Sequence, residues 1–156
     1  MIEVKLQGKP IPVPLIYQPI YKLVVLLAIL RYGTSKPYKA PLLSLHVFMW
    51  GLRSEENYKV VSSIANKSRD TLAPWTFEPG LDKTIILGVV NNYCTREIVS
   101  KNLEIKLTRA GEDFLRQVEE IGVFEDDINK LKSLGIIPKS IITKASTNWA
   151  LNYKDV

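Results

Sequence analysis

The segment from Cys94 to Leu115 constrains the fold most, because two short strand-like runs in it precede a helical one. Leu103, Ile105 and Leu107 alternate with polar residues, which is the period-2 pattern of a half-buried strand. Ser100-Lys101-Asn102 supplies turn residues between this run and the one before it. The segment therefore predicts a strand, a tight turn and a second strand that leads directly into a helix.

The helix that follows has a start signal and an apolar stripe. Thr108 is placed to accept hydrogen bonds from the free amides of the first helical turn. The apolar stripe comprises Phe114, Leu115, Val118 and Ile121. We expect this helix to cover residues 110–121 and to pack its stripe on the core.

The segment from Ile20 to Arg31 is apolar on almost all sides. A helix of this kind is buried all round, either at the centre of a fold or beneath a partner. Its longest apolar run, residues 23–30, has eight residues, against the roughly 20 that a membrane-spanning helix needs. The sequence therefore predicts a buried helix and no membrane partner.

Helical spacing and capping residues predict five further helices, at residues 41–52, 54–66, 81–93, 125–134 and 138–149. Pro41 suits a first helical turn, Ser54 a helix cap and Gly135 a helix end. Residues 67–80 contain two prolines and predict a loop, which we expect to place Trp75 and Phe77 on the core.

The helix predicted at 81–93 feeds directly into the hairpin, which is the position of the recognition helix in winged-helix proteins. The predicted fold class is α+β and mostly helical: a winged helix-turn-helix-like domain with a small antiparallel β-hairpin wing and extra C-terminal helices. Residues 1–19, with four prolines and an alternation of Ile2, Val4 and Leu6, predict an extended N-terminal arm with an edge strand. Residues 20–156 predict a single winged-helix-like domain with a C-terminal helical extension.

Residue types that usually carry catalysis or bind metals are scarce. His46 is the only histidine and Cys94 the only cysteine, so neither a nucleophile–histidine pair nor a zinc site is expected. No glycine-rich phosphate-binding motif occurs, and the acids at 125–127 suit a helix start better than a metal ion. We expect no enzyme activity and no cofactor. A single cysteine and an N-terminus unlike a secretory signal predict a cytoplasmic chain.

The net charge of +5 is unevenly distributed. Residues 1–93 carry 11 basic and 6 acidic side chains, and residues 110–132 carry 3 basic and 7 acidic ones. The split fits one face toward a polyanion and another toward a basic partner, although a randomly charged surface gives it too. Possible DNA phosphate contacts are Arg96, Lys101, Lys106 and Arg109, with plain solubilising charge as the alternative interpretation.

The helix predicted at 81–93 offers few side chains that read bases, since only Asp82, Lys83, Asn91 and Asn92 could reach base edges. Its many aliphatic residues indicate that this helix is buried against protein rather than against DNA. Aromatic residues are concentrated near the first three helices, and Tyr and Trp are enriched at interface hot spots. The possible partner-docking residues are Tyr21, Leu23, Leu27, Trp50 and Trp75.

The order of a proline-rich arm, the helix at 21–30, the block at 41–54 and the motif Leu-Thr-x-x-Gly-x-x-Phe at 107–114 resembles the middle components of bacterial ABC three-component systems. These include the small subunit of Lamassu-type antiphage systems. The resemblance covers roughly residues 15–149. The same motif also closes the wing in transcription regulators of the MarR and PadR kind.

The resemblance implies a non-catalytic accessory subunit that links an SMC-like or Rad50-like ATPase to an effector protein in an antiphage or anti-plasmid defence complex. It transfers no catalytic residues, and any contact with double-stranded DNA would be independent of sequence. The alternative is a homodimeric winged-helix DNA-binding transcriptional regulator that reads a palindrome with the helix at 81–93.

Overall fold

In the computed structural model, residues 18–154 are described, and they form seven helices and three strands. The helices are α1 (Pro19–Gly33), α2 (Leu42–Gly51), α3 (Glu55–Ala65), α4 (Leu81–Val90), α5 (Arg109–Ile121), α6 (Glu125–Leu134) and α7 (Lys139–Lys154). The strands are β1 (Lys39–Pro41), β2 (Cys94–Val99) and β3 (Asn102–Leu107), in one antiparallel sheet of order β1-β3-β2. The predicted α+β class, mostly helical with a small antiparallel hairpin, is therefore confirmed. The edge strand predicted at Ile2, Val4 and Leu6 lies outside the described residues.

Helix α1 lies at the centre of the fold. All of residues 23–30 are buried, and the helix packs against α4, α5 and α6. Two tyrosines at its ends bind acids on the neighbouring helices: the Tyr21 hydroxyl donates to Asp127 at 2.5 Å and the Tyr32 hydroxyl to Glu119 at 2.6 Å. The burial predicted for this helix is therefore provided by other helices of the same chain.

Strand β1 has no counterpart among the predicted elements. Its three residues pair with β3 at Lys106, Ile105 and Glu104. Pro41 ends this strand and is the N-cap of α2, so its predicted place in the first helical turn is wrong by one residue. Proline is tolerated here because β1 is an edge strand, where a missing amide need not break the ladder.

The loop between α3 and α4 is attached to the C-terminal helix. The amide of Leu72 donates to the carbonyl of Ala145 at 3.2 Å, and the Asn148 side chain donates to the carbonyl of Asp70 at 2.7 Å. Trp75 is half-buried, as expected, but Phe77 is 68% exposed, so its predicted core position is wrong. The neighbouring Glu78 takes the buried position, and adjacent side chains of an extended segment point to opposite sides.

Both predicted helix caps are present. Ser54 accepts a hydrogen bond from the Asn57 amide at 3.1 Å, and Thr108 accepts one from the Gly111 amide at 3.0 Å. The stripe of α5 is only partly buried: Leu115 and Val118 face the core, and Phe114 is half-buried. Ile121 is 74% exposed, so its predicted burial is wrong, because α5 ends there and Gly122 turns the chain away with a φ of 85°.

Of three other helix ends, two differ slightly from their predicted positions and one agrees with its prediction. Helix α4 stops at Val90 rather than at Tyr93, because Asn92 adopts a left-handed φ of 64°. Helix α6 ends before Gly135, as predicted. Helix α7 extends beyond the predicted residue 149 to Lys154.

Candidate functional site

Helix α4 has one buried and one exposed face. Leu81, Thr84, Ile85 and Gly88 form the buried face. Gly88 permits this packing, since a Cβ atom there would lie 2.7 Å from the Cys94 sulfur. The exposed face includes Ile86 and Val90, which are 50% and 76% exposed. These two branched aliphatic side chains lie one helical turn apart on the exposed face.

The hairpin has two different faces. Its register pairs Arg96 with Ile105 and Ile98 with Leu103, so these four side chains share the face directed toward the core. Thr95, Glu97 and Lys106 lie on the opposite face. Ile98 is 72% exposed although it lies on the inner face, because it sits near the tip of the hairpin beyond the end of the core. At the tip of the hairpin the inner face therefore extends beyond the core, and the Ile98 side chain is exposed there.

Strand β2 is an open edge of the sheet. The Leu107 amide donates to the Tyr38 carbonyl beside β1, so residues 103, 105 and 107 direct their backbone groups away from β2. The residues opposite them on β2 are Cys94, Arg96 and Ile98, whose amides and carbonyls therefore point outward from the edge of the sheet. Of these three residues, Arg96 and Ile98 are exposed. Within residues 18–154 no hydrogen bond satisfies the backbone groups of these two residues.

A cavity of about 270 Å³ lies between α2, α4 and the hairpin. Most of its lining is aliphatic, and the polar lining residues are His46, Glu78, Asp82 and Arg96. Its apolar lining comprises Leu42, Leu81, Ile85, Ile86 and Leu103. The cavity therefore combines an apolar floor with a few charged side chains, which is the usual composition of a binding cleft.

A buried acid anchors one wall of the cavity. The Glu78 carboxylate lies 2.5 Å from the Arg53 guanidinium and 3.2 Å from the Lys22 amine, and it is almost fully buried. The Glu78 amide donates to Nδ1 of His46 at 2.8 Å. Burial lowers the pKa of His46, and the nearby Glu78 carboxylate opposes this shift. His46 is therefore a hydrogen-bond acceptor at Nδ1 that holds the loop against α2.

The four predicted phosphate contacts do not form one surface. Arg96 and Lys106 lie on opposite faces of the hairpin, Lys101 is in its turn, and Arg109 is the first residue of α5. The Lys106 amine also lies 4.0 Å from the Glu97 carboxylate. Arg96, Lys101 and Arg109 are exposed, and Arg96 has no ion-pair partner among the described residues.

Four of the five predicted docking residues are inside the protein. Tyr21, Leu23, Leu27 and Trp50 are buried in the core of the described chain, so the prediction that they form a docking surface is wrong for this conformation. An all-apolar helix is buried either by other parts of its own fold or by a partner. Here α4, α5 and α6 of the same chain bury it. Trp75 is half-buried and contacts the ring of Phe77 at 5.1 Å between centroids.

The sequence interpretation did not single out Ile98, and it placed Phe77 on the core, although both side chains are exposed. A signal for Ile98 was present, because it shares a strand face with Arg96, and an arginine on an inward face indicates that the face is leaving the core. Phe77 gave no comparable signal.

Comparisons with known proteins do not assign the chain to a family: it matches no family model, and no curated protein or solved structure is significantly similar to it. In residues 18–154, no helix has both the length and the apolar character needed to cross a membrane. The same part of the chain contains no group of three or more His, Cys, Asp and Glu side chains arranged to hold a metal ion.

Proposed function

We propose that the domain is a winged helix in which α4 takes the position of the recognition helix and the β2–β3 hairpin is the wing. Two features support the proposal. Strand β1 follows α1 and pairs with β3, which gives the order β1-β3-β2. The helix before the hairpin exposes one long face, as a helix that contacts a ligand or partner must.

We propose further that the protein is a non-catalytic accessory subunit that links an SMC-like or Rad50-like ATPase to an effector in a bacterial antiphage or anti-plasmid defence complex, in the cytoplasm. The observation that carries this proposal is the pair of exposed aliphatic residues on α4, Ile86 and Val90. A helix that reads DNA needs arginine, lysine, asparagine or glutamine on its outer face. Aliphatic side chains there suit contact with another protein.

A homodimeric DNA-binding regulator is the second candidate. Asn91 and Asn92 are exposed at the end of α4, and asparagine is able to bind adenine through two hydrogen bonds. The Asn91 side chain, however, donates to the Leu87 carbonyl at 2.8 Å, which reduces its availability to a base. This observation favours the accessory subunit.

Co-purification tests the accessory-subunit proposal. The tagged chain is expressed with the products of its neighbouring genes, and we expect a stable complex with a coiled-coil ATPase. Ile86→Lys should weaken that complex at least about tenfold, because it places a charge at the interface. Ile121→Lys on α5 is the matched control, since Ile121 is equally apolar and even more exposed. Absence of any complex, together with tight binding to one operator sequence, would favour the regulator instead.

DNA contact is tested separately by reversing charge in the hairpin. The variant with Lys101→Glu and Lys106→Glu should form the protein complex normally and should show weaker, less salt-dependent DNA binding, because two phosphate contacts are lost. Fluorescence anisotropy with an arbitrary duplex at several salt concentrations measures this. Unchanged DNA affinity would identify the two lysines as surface charge only.

A further inference from the structure

The inference concerns the outer edge of β2 and the cavity beside it. Arg96 and Ile98 each direct an amide and a carbonyl away from β3, and no described residue binds these groups. A row of unpaired backbone donors and acceptors is a template for pairing with another strand. Addition of a strand at such an edge is a common way in which proteins bind extended segments.

The side chains at this edge define what the added strand must carry. Arg96 is exposed and has no ion-pair partner within residues 18–154, while Glu97 on the other face is already 3.8 Å from Lys39 and 4.0 Å from Lys106. Glu104 is likewise bound to Lys139 at 2.8 Å. The hairpin therefore presents at its open edge a cation without a salt-bridge partner among the described residues, and an acidic residue of the partner would complement it.

The cavity adds an apolar requirement. It is lined by Arg96 together with Ile86 and Leu103, so it begins directly beside the open edge. A strand paired with β2 would direct alternate side chains toward this side of the sheet. With about 270 Å³ available, an aliphatic side chain of that strand fits into the cavity.

A second copy of this chain does not meet these requirements. In an antiparallel pair, residues directly opposite each other point to the same face of the sheet. A symmetric partner would therefore place its own Cys94, Arg96 or Ile98 beside Arg96, and none of these carries a carboxylate. A second copy of this chain therefore does not supply a carboxylate opposite Arg96.

We propose that the outer edge of β2 binds an extended acidic and apolar segment of a partner protein as an added strand, with a carboxylate facing Arg96 and an aliphatic side chain in the cavity. This inference rests on the proposed role as a docking subunit and names the surface and the chemistry of the partner segment.

The test uses a phage-displayed library of random 12-residue peptides selected against the full chain, so it does not depend on recovery of the defence complex. We expect enriched peptides in which acidic and aliphatic residues alternate. Their binding should fall at least about tenfold with Ile98→Pro, which removes an outward amide without removing a bond to β3. Ile98→Val is the matched control and should bind normally, since it keeps the amide and the branched side chain.

A charge variant keeps the test informative if Ile98→Pro does not fold. Arg96→Glu leaves the backbone intact and should lose the acidic peptides while accepting variants in which their acid is replaced by lysine. Bound peptide should also slow hydrogen exchange at the Arg96 and Ile98 amides but not at Lys101.

Three results would overturn the proposal. The first is that no peptide is enriched, and the second is that selected peptides bind Ile98→Pro as well as the parent chain. The third is a dimer of the isolated chain that Ile98→Pro dissociates, which would make the edge a self-association site. A failed co-purification with a successful peptide selection would instead reject the defence complex and keep the docking edge.

Discussion

At the scale of single residues, His46 holds the loop that forms one wall of the cavity. Its Nδ1 atom accepts a hydrogen bond from the Glu78 amide, so protonation of this nitrogen would break the bond. Burial lowers the pKa of His46 below its ordinary value of 6.5. The unfolded chain therefore takes up a proton first as the pH falls, and stability is fully present above pH 6.5 and declines below it.

Replacement of this histidine should remove part of that decline. We expect His46→Asn, whose side-chain oxygen is also an acceptor, to flatten the change in midpoint temperature between pH 7 and pH 5. Thermal unfolding followed by circular dichroism measures it. Because His46 is the only histidine, any slope that remains comes from carboxylates. An unaltered slope in the variant would contradict the assignment.

Gly111 is required by close approach of the backbone. A Cβ atom at this position would lie 2.0 Å from the Tyr93 carbonyl oxygen and 2.9 Å from the Leu107 side chain. We expect Gly111→Ala to destabilise the fold by about 3 kcal/mol, since the contacting atom is rigid backbone. Urea denaturation measures the loss. Ala110→Ser, at the exposed neighbouring position, should change stability by less than about 0.5 kcal/mol.

At the scale of elements, the hairpin shows what local sequence determines. Alternating residues predicted β3, Thr108 and Ser54 predicted the helix caps, and polar residues predicted the turn, because each signal depends on neighbours along the chain. Strand β1 could not be predicted in this way, since its three residues become a strand only by pairing with residues more than 60 positions away. The open edge of β2 likewise follows from strand order and not from any motif.

The turn between β2 and β3 has a strained backbone at two residues that are not glycine or asparagine. Ser100 and Lys101 form a two-residue turn, and both have positive φ, 50° and 69°. Asparagine and glycine adopt this conformation more easily. The variant with Ser100→Asn and Lys101→Gly should therefore be more stable by about 1 kcal/mol in urea denaturation. The single variants identify which residue contributes; no gain in any of the three would mean that the turn is relaxed.

At the scale of the whole molecule, α1 determines how the other helices are arranged. Leu27 is fully buried, and α1 packs on three helices that follow it in the chain. We expect Leu27→Ala to cost about 3 kcal/mol in urea denaturation, because it leaves a cavity in the centre of the core. Ile20→Ala, at the exposed start of the same helix, is the matched control and should cost much less. A small effect of Leu27→Ala would indicate that α1 is not the centre of the core.

The central position of α1 also has a consequence for synthesis of the protein. The helix ends at Gly33, whereas α6, which covers one of its sides, begins at Glu125, about 90 residues later. A ribosome adds roughly 5–20 residues per second, so α1 emerges about 5–20 seconds before that side is covered. During that interval an almost entirely apolar helix is exposed on the nascent chain. The central helix of the finished protein is thus an aggregation-prone segment during translation.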